Sequence, residues 1–219
     1  MNNFSSPFDN LASEYDSWFD GDGKPIFDIE VEAFRNILPL LPKPWLEIGV
    51  GSGRFARALG IENGIDPSYK FVEMARARGI NASIGRGENT SFERESIGTV
   101  FLIVTLCFLD SPLDVMKEAH RILIPGGKLV LSFVAKDSPW GKYYEQKKGA
   151  GHRFYQHATF YKCNEVTRFT IEAGFMGEKM VSTLWQKPGD VRHMESPREG
   201  YFHDAGFTII VAVKAAGED

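Results

Sequence analysis

Cysteine is scarce. Cys107 and Cys163 are the only two in 219 residues, and neither sits in a Cys-x-x-Cys or Cys/His ligand spacing. A disulfide framework and a structural metal site are not indicated, and both thiols read as reduced and packed. Long apolar runs are also missing. The longest, Val100 to Leu109, falls well short of the roughly 20 residues that cross a bilayer as a helix. Met1-Asn2-Asn3-Phe4 carries no basic leader, so the expectation is a soluble, unexported, cytoplasmic protein with no membrane span. Nor is there an excess of basic charge. Lys and Arg number 25 against 29 Asp and Glu, a net charge of −4, so no nucleic acid is expected as the main partner. With 43% hydrophobic and 25% charged residues and no repeat or linker composition, the chain reads as one globular domain able to bury a core.

What is present is a turn rich in glycine. The short apolar run Trp45-Leu46-Glu47-Ile48 meets Gly49, Gly51 and Gly53 at alternate positions, and a helix-capable segment begins at Arg54. Glycine is needed where φ is positive or where a ligand lies against bare backbone, and the N–H groups before Arg54 can point at that ligand. The dinucleotide fingerprint spaces its glycines Gly-x-Gly-x-x-Gly around a pyrophosphate; here the second gap is a single residue. Glu47 would repel a pyrophosphate but suits a cationic ligand end such as an ammonium group. About 20 positions on, Asp66 closes a second strand in Gly64-Ile65-Asp66-Pro67-Ser68, where an acid accepts hydrogen bonds from both ribose hydroxyls. The pair suits a nucleoside with a charged, amino-acid-like end.

These two blocks, followed by Glu118-Ala119-His120-Arg121-Ile122-Leu123-Ile124-Pro125-Gly126-Gly127-Lys128-Leu129, resemble the class I S-adenosylmethionine-dependent methyltransferases, in their small-molecule branch similar to the ubiquinone and menaquinone enzymes. The resemblance implies an α/β, Rossmann-like doubly wound sheet of seven strands, mostly parallel with an antiparallel C-terminal hairpin. It implies S-adenosyl-L-methionine as cofactor and a small-molecule acceptor, and it carries the cofactor contacts onto Glu47, Gly49, Gly51, Gly53, Asp66, Pro67 and Ser68. Tyr15, in Tyr15-Asp16-Ser17-Trp18-Phe19, matches an element that shields the family's cofactor pocket; the other reading is a helix covering the sheet edge with core aromatics. Arg86-Gly87-Glu88 falls where the family borders the adenine. Glu88 and Phe92 match, whereas Arg86 replaces the usual acid, and a guanidinium only donates, which leaves backbone contacts at Arg86 and Gly87. Thr105, Leu106 and Phe108 end the next strand at the position that touches cofactor or substrate. The Asn/Asp-Pro-Pro-Tyr run of DNA and amide methyltransferases is missing there.

The remaining pattern predicts a helical cap over 1–41, a cofactor core over 42–137, an aromatic and basic substrate-side insertion over 138–163, and a C-terminal helix with an antiparallel hairpin over 164–219. Helices are expected from Phe8 to Phe19 and from Pro25 to Leu38, the second with Phe27, Val31, Phe34 and Leu38 on one stripe. Further helices are expected from Tyr69 to Arg78, capped by Ser68; after a Ser111 cap to about Ile124; and after an Asn164 cap, stopped by Gly174. Paired strands are expected over Phe175–Gln186 and Gly206–Lys214 around a polar loop.

Methyl transfer from an activated donor asks mainly for alignment and exclusion of water. Where the acceptor needs deprotonation, His152, Tyr155, His157 and Glu145 are placed by location to serve as base, although a pocket-wall or surface role fits each of them too. The catalytic residue stays unassigned. Two other readings remain: an S-adenosylmethionine- or S-adenosylhomocysteine-binding protein without turnover, and an NAD(P)-dependent oxidoreductase, which shares the sheet but is opposed by the glycine spacing and Glu47.

Overall fold

The computed structural model describes residues 9–215; Phe8, the first aromatic of the expected leading helix, lies outside them. Two helices, α1 (Ala12–Trp18) and α2 (Lys24–Phe34), precede the sheet. The core then alternates β1 (Trp45–Ile48), α3 (Arg54–Leu59), β2 (Asn63–Asp66), α4 (Tyr69–Ala77), β3 (Asn81–Ile84), β4 (Ile97–Ile103), α5 (Pro112–Ile122) and β5 (Leu123–Phe133). After it come α6 (Pro139–Gly149), α7 (Cys163–Glu172), β6 (Phe175–Thr183), β7 (Arg198–Glu199) and β8 (Phe207–Lys214).

The sheet has the order β3-β2-β1-β4-β5-β8-β6-β7. The first five strands run parallel, and β8, β6 and β7 add antiparallel pairs. Chain order reverses direction between β1 and β4, so a crevice opens beyond their C-terminal ends, where ligands bind in such sheets. Every residue of β4 is buried, with Val100 and Leu102 on one face and Phe101 and Ile103 on the other. Burying a side chain of this size contributes about 1.5 to 3 kcal/mol. Among the described residues no helix is long and apolar enough to cross a membrane.

Several expectations are corrected. The sheet has eight strands rather than seven, because Arg198 and Glu199, inside the expected polar loop, pair with Ser182 and Val181. The insertion contains a helix, α6, opened by Ser138, whose Oγ accepts from Gly141 N–H at 3.0 Å, with Pro139 in the first turn. The α5 helix stops at Ile122 because Leu123 already pairs with Ile97, and the register then jumps to Thr99 opposite Lys128. Ser111 precedes α5, but its hydroxyl donates to Asp114 instead of capping. Lys162, not Asn164, stands at the start of α7, where its N–H donates to Glu165.

The α2 stripe is rotated from the expected one. Its buried residues are Ile26, Ile29, Glu30, Ala33 and Phe34, while Phe27 and Val31 are only partly buried.

A polar clasp fixes α1 over the glycine turn. The Asp16 carboxylate accepts from Arg54 Nε at 2.7 Å, from Arg54 Nη2 at 2.8 Å, from Arg78 Nη2 at 2.7 Å and from the Ser52 hydroxyl. Burial alone would raise its pKa, but the Arg54, Ser52 and Arg78 hydrogen bonds outweigh burial and bring it down to about 2. A lowered carboxylate stabilises the fold above its unfolded pKa, and that stability fades as pH falls toward the folded value. Asp16→Asn is therefore expected to cost about 2 kcal/mol at pH 7 and less at pH 3. Urea unfolding at the two pH values measures this, and equal losses would refute the ionic origin.

Candidate active site

The three glycines after β1 are required for different reasons. Gly49, Gly51 and Gly53 have φ of +76°, +52° and +81°, a region that L side chains rarely adopt. A Cβ on Gly49 would stand 2.3 Å from Cγ2 of Thr105, and one on Gly53 would stand 3.0 Å from Cα of Ala75 in α4. At Gly51 nothing lies within 4 Å, so that backbone faces open space. The turn is pinned to β2 because Gly49 and Val50 N–H both donate to Ile65 O, at 2.8 and 3.0 Å.

Two carboxylates lie at the turn. Asp66 is buried and accepts from Gly51 N–H at 2.9 Å and Ser68 N–H at 2.8 Å. Burial pushes its pKa up to about 6, against the pull of those two N–H groups. Glu47, at 1% exposure, has one carboxylate oxygen without a hydrogen-bond partner. Burial, and then the neighbouring Asp66, hold it well above the usual carboxylate range. An orphaned acid of this kind calls for a cation or donor from outside the chain.

A cavity of about 360 Å³ opens at this crevice. Of the residues singled out from sequence, Tyr15, Gly49, Gly51, Asp66, Pro67, Arg86, Gly87, Glu88, Thr105 and Phe108 line it. Glu47, Gly53, Ser68 and Leu106 lie outside its lining. Glu47 is buried in β1; Gly53 is taken up by packing against α4. The Ser68 hydroxyl bonds to Asp9 and accepts from Phe71 N–H to cap α4, and Leu106 faces a second cavity. Arg86 turns its guanidinium to Asp110 at 2.6 Å and Glu88 at 3.1 Å. It thereby brings Asp110, which carried no local signal, into the lining.

The second cavity, about 560 Å³, shares Tyr15, Val104 and Phe108 with the first. Val104 holds φ of +52°, an outlier for a β-branched residue of the kind that clusters at functional sites. His152 and Tyr155 line this larger cavity and His157 the smaller one. Glu145 lines neither and stands 3.8 Å from Lys136, so the structure does not place it to act as a base. Burial, followed by Lys147, lowers the His152 pKa. Sequence reasoning missed Glu30, a buried acid in the lining whose pKa burial pushes up to about 8. Its one signal was the Ile26, Ile29, Ala33 spacing, which sets position 30 on the apolar face.

Residues 46–131 match the methyltransferase-domain family. A protein of Thermotoga maritima, described as a SAM-dependent methyltransferase and possible histamine N-methyltransferase, is 35% identical with a TM-score of 0.87, over 95% of this chain and 98% of that one. An uncharacterized protein of Methanocaldococcus jannaschii is 37% identical over 94% of this chain and 98% of its own length. One of Mycobacterium tuberculosis is 37% identical over 94% of this chain and 73% of its own. Glycine turn, sheet order and relatives agree: the chain belongs to the class I S-adenosylmethionine-dependent methyltransferases, with S-adenosylmethionine as cofactor.

Proposed function

We propose that this chain moves a methyl group by direct displacement from S-adenosylmethionine, held in the smaller cavity, to a small-molecule acceptor held in the larger one. The observation that carries the reading is the wall common to both cavities, Tyr15, Val104 and Phe108. The larger cavity has the volume of small-ligand sites, and its aromatic lining suits a compact organic acceptor.

The residues present fit the cofactor. The open backbone at Gly51 leaves room for the ligand, Asp66 in the lining can accept from ribose hydroxyls, and the unpartnered acid Glu47 lies buried in β1 just behind the turn. When bound, the cofactor supplies an already activated sulfonium methyl. The chain's own task is then to align the reactants and exclude water, which can account for about 7 to 11 kcal/mol of a barrier. Tyr15 contributes by closing over both cavities, its ring set edge-on to Phe71 and Phe154 at 5.6 Å.

Calorimetric titration with S-adenosylmethionine and radiolabelled methyl transfer to amines, phenols and thiols test the reading. Tight cofactor binding with no transfer to any acceptor would overturn it. Asp66→Ala is expected to weaken the cofactor by about 1 to 3 kcal/mol, through ribose contacts and the loosened Gly51 turn. Wild-type affinity is expected to fall as pH drops through about 6, where Asp66 gains its proton. Unchanged affinity in the variant would remove Asp66 from the assignment.

A further inference from the structure

Glu30 stands out among the acids of the molecule. It is 7% exposed, it lines the larger cavity, and among the described residues its carboxylate has no hydrogen-bond or ion-pair partner. It lies close enough to Tyr15, Tyr144 and Tyr155 for its charge to raise the pKa of all three hydroxyls. The walls around it are aromatic: Trp18, Tyr144, Phe154, Tyr155 and Phe160. Tyr144 and Tyr155 stand 4.6 Å apart between ring centroids, and Tyr144 stacks on Phe160 at 6.1 Å. Charged groups in the lining are mostly acidic, with Glu14, Asp22 and Glu30 against Lys147. Glu14 is already paired with Arg153, and Lys147 sits over the Tyr143 ring.

A buried acid with no partner is costly to keep. The aromatic rings that line the same cavity can attract a cation through their faces. Both features answer to a single ligand chemistry.

We infer that Glu30 and the aromatic rings of its cavity select an acceptor bearing a protonated amine, and that Glu30 takes the proton the amine must lose. The inference rests on the proposed acceptor role of the larger cavity. An ammonium has no lone pair to attack with, so one N–H proton passes to the Glu30 carboxylate. The freed nitrogen lone pair then forms the N–C bond to the methyl group while the C–S bond breaks and its electrons stay on sulfur. The products are an N-methylammonium, a thioether and a protonated Glu30, which returns its proton to solvent. Burial pushes the Glu30 pKa up to about 8; an ammonium seated beside the carboxyl favours its ionised form, which is the form that accepts the proton.

The test uses the full chain saturated with S-adenosylhomocysteine. Three matched probes, 2-phenylethylamine, 2-phenylethanol and 3-phenylpropionate, are compared by calorimetry, alongside a radiolabelled transfer screen of primary and secondary amines with S-adenosylmethionine. The amine is expected to bind at least about tenfold tighter than the alcohol, with the carboxylate weakest. Glu30→Gln is expected to erase that preference and lower transfer while leaving cofactor affinity unchanged. Glu30→Asp should keep the order amine, alcohol, carboxylate. Equal binding of amine and alcohol, or an undiminished preference in Glu30→Gln, would overturn the inference. Transfer to neutral phenols or thiols but to no amine would also overturn it, with the methyltransferase reading intact. Cofactor binding without transfer to any acceptor defeats that reading instead.

Discussion

Gly49→Ala is expected to yield a chain that unfolds at a lower temperature and binds S-adenosylmethionine on the order of 100-fold more weakly, about 2.7 kcal/mol. Two effects combine. A Cβ at φ of +76° costs roughly 1 to 2 kcal/mol, and the new methyl would sit 2.3 Å from Thr105 Cγ2. Thr105 cannot swing aside freely, because its hydroxyl donates to Ile103 O at 3.0 Å and lies 3.3 Å from Gly49 O. The turn must move instead, at a further cost of about 1 to 3 kcal/mol. In a chain of this size the sum corresponds to a loss of roughly 10 °C in Tm. Gly51→Ala separates fold from function. Its φ is also positive, but its Cβ meets nothing within 4 Å, so the stability loss should stay near 1 kcal/mol while cofactor affinity falls as far as in Gly49→Ala. Thermal melts and calorimetry on both variants decide; equal melting losses, or normal cofactor binding by Gly51→Ala, would contradict this account of the turn.

Glu30→Gln is expected to be more stable than the parent chain above pH 8. The folded-state pKa of Glu30 is raised to about 8 from an ordinary 4.5. A raised carboxylate contributes stability that is fully present below its unfolded pKa and is lost as pH rises through the folded value. At about 1.36 kcal/mol per pH unit, the parent chain should lose about 3 to 5 kcal/mol from this group between pH 4.5 and pH 9. The hydroxyls facing it, on Tyr15, Tyr144 and Tyr155, have pKa values raised by burial and stay neutral across that range. Asp66 and Glu47 titrate in the same direction in both proteins, so the comparison isolates position 30. Urea unfolding at pH 5 and pH 9 is the measurement, and parallel profiles for variant and parent would show that Glu30 is not held in an unfavourable ionised state. A variant that gains stability and loses transfer is the signature of a group kept for function.

The glycine turn and its two acids were legible because their signals are local. Glycines at 49, 51 and 53, the acid at 47 and the acid at 66 can each be read from a few neighbouring residues, and the structure sets the turn against Asp66 through Gly51 N–H. The larger cavity was not, because it is assembled from distant segments: α2, the 3₁₀ turn at Leu106–Phe108, α6 and the stretch through Tyr161. Glu30 looks in sequence like one more charge on a surface helix until α2 is rotated to bury Ile26, Ile29 and Ala33. The α6 helix escaped notice because its aromatic and basic residues form no clean apolar stripe, although Ser138-Pro139 carried a start signal. At Arg86 the departure from the family pattern was visible, but not its outcome, since the partner Asp110 lies 24 positions away.

The clasp at Asp16 also bears on which nucleotides can dwell at the glycine turn. Arg54 and Arg78 flank it, and Arg78 additionally donates to the Ser52 carbonyl at 2.7 Å. Unopposed, two guanidinium groups at that corner would welcome a pyrophosphate. Asp16 and Asp20, both delivered by the leading helix and the residues just after it, discharge them. A segment far from the turn in sequence thus takes up both guanidinium groups, and a phosphate arriving at that corner would have to displace a carboxylate to reach them.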